Sequence, residues 1–399
     1  MPLITAIIPT YNRAGFLRQT IEGLNRQTRP VDETIVWNDG STDETLSVLR
    51  QSGKGLRVFT SENGGKSRAL NAAIAEARGD YIWICDDDDI ALPEAAATLA
   101  GMLDRNPDAG AAGGSYRRFR EGGIEQGPGY WPDLSSGAPV RHLLEDIFLF
   151  QNAMMVRREV YDRVGPFRED LRRSIDYDMV VRLGVAAPIV VTEAPLFLQR
   201  KHDGDRGPAA ARHAADQSDA VWKAVDREIF ASFRNRIPLS FYEAMFDGDD
   251  PSLVRRAALL QRGCVYARRT DWPAALADFM AAAEILPDTA PSGVERAICR
   301  RAMAGKHGIA EAMSLETRRG LAGLAGRSAA GAGIAASLRT GLRWRLREAL
   351  MAHRWLQALA ICRLMTALTR PSGEGKAPSA VVERDELPAA AFLKGSPPI

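Results

Sequence analysis

No stretch of about 18 uninterrupted apolar residues occurs, which excludes an obvious membrane-spanning helix. Cysteine is scarce: Cys85, Cys264, Cys299 and Cys362 are scattered without metal-ligand spacing, so neither a disulfide framework nor a thiolate metal site is expected. Nor is there an excess of either charge. The formal net charge is +2, which removes any bulk electrostatic case for nucleic acid as a partner. The chain begins in a strand-like segment rather than a charged stretch followed by an apolar one, so no secretory signal is expected. The expected location is the cytoplasm, with room for peripheral attachment to the inner face of the cell membrane. What is present is an ordinary globular composition, 46% hydrophobic and 26% charged. At 399 residues the chain has material for two or three domains.

The most informative stretch is Tyr81-Ile82-Trp83-Ile84-Cys85 followed by Asp86-Asp87-Asp88-Asp89 and then Ile90-Ala91-Leu92-Pro93. The first five residues, rich in β-branched and aromatic types, predict a buried strand, and a helix-start signal follows Leu92-Pro93. Four consecutive carboxylates repel one another and are costly beside a strand end unless something positive neutralises them. Oxygen-only ligands suit a hard divalent cation, Mg2+ or Mn2+, shared with a substrate's phosphates. In an open α/β sheet the carboxyl end of a strand is where ligands bind. A solvated acidic turn capping the next helix would use the same residues.

Around this stretch strands and helices alternate. Leu3–Ile8 predicts a strand ending in turn chemistry at Pro9-Thr10-Tyr11-Asn12-Arg13, and Phe16–Asn25 a helix with Phe16, Leu17, Ile21 and Leu24 on one face. Thr34–Trp37 is a second strand. It is broken by Asn38-Asp39-Gly40-Ser41-Thr42-Asp43, where Gly40 suits a left-handed turn and Asp39 an Asx turn. Leu56–Thr60, the loop Glu62–Ser67, and a helix Ser67–Ala77 closed by Gly79 follow. Ala111–Phe119, Asn152–Arg157 and Pro188–Thr192 are further strands, and Ile124–Ser136 is a Gly/Pro-rich loop holding Tyr130 and Trp131. This order predicts an α/β fold with a doubly wound, mostly parallel sheet.

Four pieces in sequence carry a resemblance. They are Ile7-Ile8-Pro9-Thr10-Tyr11-Asn12, Asn38 to Asp43, Asn63-Gly64-Gly65 through Arg68-Ala69-Leu70-Asn71, and Cys85 to Asp89. Together they resemble the inverting, family-2-type glycosyltransferases of GT-A fold, over roughly residues 1–205. The resemblance implies transfer of one sugar from a nucleotide-diphosphate sugar to a hydroxyl of a glycan, lipid-linked or polysaccharide-precursor acceptor. It places Pro9, Thr10, Tyr11, Asn12, Arg13, Asp39, Arg68, Asp86 and Asp87 at the nucleotide sugar, and Asp88 and His202 at an Mn2+ or Mg2+ ion. Asp176 is the general base, with Asp178 its rival. Two positions depart from the family's pattern: Asn38 replaces the first acid of its loop, and Ile175 the first acid of the pair ending at Asp176. Processive relatives carry Gln-x-x-Arg-Trp and membrane spans. Here Met351 stands where that Gln would precede Arg354-Trp355, so single addition is expected. A sugar-nucleotide nucleotidyltransferase would need a Gly-rich phosphate loop after the first strand, which Pro9-Thr10-Tyr11-Asn12 is not. A non-catalytic scaffold that binds a nucleotide sugar or ion and docks a partner is the alternative from another class.

After about Pro208 strand signals almost vanish. The expected organisation is a GT-A domain at 1–207, an α-helical C-terminal domain at 208–370 and a disordered tail at 371–399. Gly263, Tyr266, Trp272, Ala275, Phe279, Ala282 and Pro287 give one tetratricopeptide-like helix pair over about 260–288, too little to bury its own face. Ala329–Leu338 reads as small and flexible. Leu342–Leu368 reads as one or two basic amphipathic helices, which would either lie on an anionic membrane or pack on the preceding domain.

Overall fold

A computed structural model describes residues 1–52, 55–120, 122–123, 125–171, 173–201 and 218–369. His202, the proposed boundary near 208 and the tail 371–399 lie outside the described residues. The described residues divide into two compact units: those within Met1–Leu134 and Ile147–Ser218, and those within Ser135–Asp146 and 219–369.

In the first unit β1 (Ile4–Thr10) is buried along its whole length, as a strand covered on both faces must be, and its residues are accordingly apolar or β-branched. The elements that follow are α1 (Ala14–Asn25), β2 (Glu33–Asn38), α2 (Thr45–Gln51), β3 (Leu56–Thr60), α3 (Lys66–Glu76), β4 (Tyr81–Ile84), β5 (Ile90–Ala91), α4 (Ala95–Arg105), β6 (Ala111–Phe119) and β7 (Glu125–Pro128). After α5 (Pro139–Glu145) of the second unit, the first unit resumes with β8 (Met154–Arg157), α6 (Arg158–Val164), α7 (Ile175–Ala186) and β9 (Ile189–Arg200). The strands form one sheet in the order β3-β2-β1-β4-β8-β6-β9-β5, with β7 on β6. Pairing is parallel from β3 through β4. Beyond β4 the sheet is mixed: β8 runs antiparallel to β4 and β6, and β9 parallel to β6. The fold is therefore the expected α/β GT-A type, doubly wound and parallel in its first half, with a helical region after it.

This topology positions the site. The chain steps outward from β1 to β2 and β3 on one side, then returns to place β4 on the other, so the order reverses between β1 and β4. Crevices of parallel sheets form at such switch points, beyond the carboxyl ends of the strands. The loops at Pro9–Arg13, Asn38–Asp43 and Asp86–Asp89 all leave carboxyl ends of the parallel set. Beneath them Ile8, Leu17, Ile21, Val36, Trp83 and Leu99 make one continuous core.

Some expectations need correcting. The Gly/Pro-rich loop contains the short strand β7. Gly79 does not cap α3, which ends at Glu76 with Ala77 in the capping position. Its amide instead donates to Thr5 Oγ1 at 2.9 Å, and a Cβ there would fall 2.7 Å from the Thr5 backbone nitrogen, so glycine is needed for close approach. Asp89 does not cap α4 either; the helix opens at Glu94.

The second unit is helical: α8 (Ser218–Arg236), α9 (Leu239–Glu243), α10 (Pro251–Arg268), α11 (Trp272–Glu284), α12 (Gly293–Ala302), α13 (Leu315–Arg327), α14 (Ala329–Gly341), α15 (Arg343–Met351) and α16 (Trp355–Ala367). α10 and α11 are the helix pair read from the sequence, meeting where Gly263 lies against the Phe279 ring. The small-residue stretch expected to be flexible is α14, with Ala330, Ile334, Ala335 and Leu338 wholly buried. Small side chains there serve close helix packing. Charge is buried in this unit as well: Arg256 and Glu295 pair at 2.7 Å with both side chains inaccessible, and Arg256 also donates to the Thr289 carbonyl at 2.9 Å.

Candidate active site

β4 ends at Ile84, and the four aspartates form a tight turn in which the Asp89 amide donates to the Asp86 carbonyl at 3.3 Å. The turn is held from three directions. Asn152, in a short 3-10 turn before β8, accepts the Asp86 amide on Oδ1 at 2.7 Å and donates from Nδ2 to Asp89 at 2.5 Å. Arg200, the last residue of β9, donates its amide to the other Asp89 oxygen at 2.8 Å and its Nε to the Asp88 carbonyl at 2.9 Å. Its guanidinium lies between the rings of Phe16 and Phe119, 4.6 Å from each centroid. Thr20 of α1 donates to the Asp89 carbonyl at 2.7 Å. Asp89 is thus a buried structural carboxylate.

Asp86 and Asp88 remain partly exposed. Carboxylate oxygens of Asp86, Asp88 and Asp89 come within 4.8 Å of one another. Behind the turn the space walled by Thr20, Cys85, Asp89, Asn152 and Phe197 amounts to only about 10 Å3, room for one water at most. That space, which Asp86 also lines, is too small for a hydrated cation; Asp86 and Asp88 are the half-buried carboxylates of the cluster that solvent reaches. A hard, oxygen-only donor set matches Mg2+ or Mn2+.

Lys66, at the start of α3, forms an ion pair with Asp86. Burial alone would lower its amine, but Asp86, Asp176 and Asp88 together raise it above the usual lysine range, so it stays protonated. Asp176 lies in the first turn of α7, which follows Ser174 in a left-handed conformation (φ +55). Burial raises its carboxyl above the ordinary value, Lys66 opposes the shift, and Asp86 adds to it. Asp176 therefore lies within electrostatic reach of Lys66 and Asp86. Its rival is otherwise engaged: Asp178 is buried and pairs with Arg182 at 2.9 Å, and Arg182 in turn donates to the carbonyls of Val164 and Pro166. Asp87 is pushed up to about 7 by burial and by Asp88, with the Thr10 hydroxyl and Arg13 pulling the other way. Arg13 itself lies 3.9 Å from Asp88.

The first loops are clasped together. The Asn12 side chain accepts the amides of Thr42 (2.8 Å) and Asp43 (3.3 Å), and the Asn12 amide donates to Ser41 Oγ at 3.0 Å. Asp39 is buried, and both its oxygens are bonded, accepting the Gly64 and Gly65 amides at 2.8 Å each and Asn63 Nδ2 at 3.2 Å. Asn38, wholly buried, accepts the Ser41 amide at 3.1 Å. An acid at that position would need the same acceptor but would bury a charge, which accounts for asparagine here. Gly40 adopts φ +74 as expected, and a Cβ on it would approach the Asn63 nitrogen to 2.7 Å.

Arg68 is exposed and lies along Gly64, and among the described residues no ion pair links it to the acidic turn. Of these two α3 cations the one that reaches the turn is Lys66, two residues earlier. Trp131 packs edge-on against Phe148 (5.2 Å) as a loop anchor, while Tyr130 is 51% exposed. Sequence reasoning missed Lys66, Asn152 and the role of Arg200. Lys66 had a local signal, a cation directly after Gly64-Gly65 at a helix start; Asn152 and Arg200 act across 63 and 111 residues and had none.

Residues 5–165 match Glycosyl transferase family 2. The chain carries a family-2 glycosyltransferase domain. Among curated relatives, an uncharacterised glycosyltransferase of Rickettsia felis is 28% identical over 296 residues, covering 72% of this chain and 46% of that protein. The chondroitin synthase of Pasteurella multocida is 28% identical over 187 residues, covering 46% of this chain and 19% of the synthase. The chain therefore spans less than half the length of both relatives. Of solved structures, S. aureus TarS 1–349 in complex with UDP-GlcNAc is similar at a TM-score of 0.48 and 16% identity, covering 77% of this chain and 88% of that one. The Asp86-Asp88-Asp89 turn of the glycosyltransferase domain fits the family's DxD motif.

Proposed function

We propose that the chain moves one sugar from a nucleotide-diphosphate sugar to a hydroxyl of a glycan, lipid-linked or polysaccharide-precursor acceptor, with inversion at the anomeric carbon. What supports this most is that Lys66 pairs with Asp86 of the acidic turn and that both charges act on Asp176, which suits a donor-side anion site with a carboxylate base near it. Asp176 takes the proton of the acceptor hydroxyl as its oxygen bonds to the anomeric carbon, and the bond from that carbon to the diphosphate breaks. A carboxyl raised by burial suits that role, since it is a stronger base than an ordinary carboxylate. Asp88, with Asp86, would hold Mn2+ or Mg2+; the bound ion supplies charge neutralisation for the departing diphosphate. Lys66 and Arg13 add fixed positive charge on the same side. Thr10, Tyr11 and Asn12, in the loop after β1, line the nucleoside side. Asp39 and Asp87 shape it, Asp39 by fixing the Asn63–Gly65 loop.

The test is a panel of nucleoside diphosphates and their sugars with and without Mn2+, read first by melting temperature and then by turnover. A ligand that binds only the folded protein raises its melting point. Asp176→Asn is expected to keep the thermal shift and to lose turnover by roughly 10²–10⁴-fold. Absence of a shift with every nucleotide, or full turnover in Asp176→Asn, would overturn the proposal.

A further inference from the structure

Of the large hydrophobic residues left exposed among the described residues, more than half fall between positions 344 and 359: Trp344 (49%), Leu350 (42%), Met351 (70%), Trp355 (62%), Leu356 (86%) and Leu359 (49%). Such clustering is rare on a soluble surface and marks an interaction site. The apolar stripe of α16 is already used, because Ala358, Ile361 and Leu364 are buried within the second unit. α15 is likewise fastened down, with Arg345 donating to the Met303 carbonyl at 2.7 Å and to the Gly305 carbonyl at 2.6 Å. The helices therefore do not offer a free amphipathic face along their length. What stands clear is the turn between them, where every residue from Leu350 to Gln357 is exposed. That turn is well ordered: the Arg354 amide returns to the Ala349 carbonyl at 2.8 Å, and His353 takes a left-handed conformation (φ +53).

The charge around the tip has one sign. Across 342–368 five arginines face the single acid Glu348, and Arg354 lies 3.6 Å from that acid. Arg343, Arg347, Arg354 and Arg363 are exposed. Tryptophan and leucine on a protrusion, ringed by arginines, match a deformable medium that is apolar inside and anionic at its rim. A protein partner would have to present a hollow for each side chain, whereas lipid closes around them. We infer that the α15–α16 tip docks this chain onto an anionic lipid bilayer, with Met351, Trp355 and Leu356 entering the interface and the arginines engaging headgroup phosphates. This goes beyond the proposed sugar transfer and does not depend on it.

The experiment is co-sedimentation of the full chain with vesicles of phosphatidylcholine alone or with phosphatidylglycerol added, at low and high salt, alongside sizing of the free protein. The expected result is binding to the anionic vesicles only, weakened by salt. Trp355→Ser/Leu356→Ser is expected to reduce partition roughly tenfold or more. Arg343→Gln/Arg347→Gln should reduce it by about fivefold per arginine, the equivalent of about 1 kcal/mol each. These side chains are exposed, so unchanged melting temperatures will show that both variants fold. Any of three results overturns the inference: no vesicle binding, equal binding to both vesicle types, or binding that neither double variant weakens. Self-association abolished by the tip variant would overturn it too, by assigning the tip to a second copy of the chain.

Discussion

Replacing Asn152 with alanine probes how the acidic turn is held. The side chain makes two hydrogen bonds, a part-buried one from the Asp86 amide and a buried one to the Asp89 carboxyl. Removing the first leaves a part-buried amide without its acceptor, and removing the second leaves a buried Asp89 oxygen without its donor, at about 1–3 kcal/mol each. A water entering the enlarged space recovers part of both, which sets the expected loss at about 3 kcal/mol. Asp89 keeps the Arg200 amide and Asp86 keeps Lys66, so the turn loosens without unfolding the sheet. The loss should therefore concentrate locally. Hydrogen exchange at the Asp86 amide should accelerate by about two powers of ten, while amides of β1 and β2 change little. Mn2+ affinity, measured by calorimetry, should fall at least about tenfold, since the Asp86 and Asp88 oxygens are no longer held in one geometry. Asn152→Asp should be worse than alanine, because it sets a second carboxylate against Asp89. If Asn152→Ala leaves both Asp86 exchange and Mn2+ affinity unchanged, the turn is fixed by Arg200 and Thr20 alone and the reasoning fails.

Other expectations follow from the same contacts. Glu145, whose carboxylate bonds Arg301 at 2.9 Å and Gln261 at 2.9 Å, would be raised by burial but is held well below the usual carboxylate range by Arg301 and Arg268. A depressed carboxyl stabilises the fold above its unfolded value, so this contribution should be lost as pH falls below about 4. Glu145→Gln should cost about 3 kcal/mol at neutral pH and flatten the acid limb of a stability-versus-pH curve measured by urea unfolding. Gly263→Ala gains about 1 kcal/mol of helix propensity. Its Cβ, however, would sit 2.7 Å from the buried Phe279 ring, and overpacking costs about 1–3 kcal/mol, so a lower melting temperature is expected. Chelation of divalent cations should abolish turnover and the nucleotide-induced rise in melting temperature, and Mn2+ or Mg2+ should restore both.

The first ninety residues were legible because their signals are local. Apolar runs bounded by turn residues gave β1 to β4, and the glycine at position 40 sits in the left-handed turn its neighbours required. The acidic turn was legible as chemistry for the same reason. What the sequence did not disclose is how side chains from distant segments divide the labour. Four aspartates look alike in a row, yet Asp89 is spent on Asn152 and Arg200 while Asp86 and Asp88 stay accessible, and that partition depends on β8 and β9 arriving beside β4. Lys66 and Arg68 lie two residues apart, on nearly opposite sides of α3, so a register shift of two residues would exchange which of them meets the acidic turn. In the helical unit, the alanine- and glycine-rich segment 329–338 carries the same composition whether it packs closely or not at all. Only the neighbouring helices decide.

The clasp of Asn12 over Thr42 and Asp43, with Asp39 bonded to Gly64 and Gly65, has a thermodynamic consequence. Three loops that would otherwise wander are ordered when the chain folds, so their entropy is surrendered before any nucleotide arrives. On the proposed function, a donor would meet walls already in position and spend little of its interaction energy on arranging them. Affinity on that side becomes a matter of shape set in advance, and change in donor preference would have to come through side chains hung on this frame rather than through movement of the frame itself.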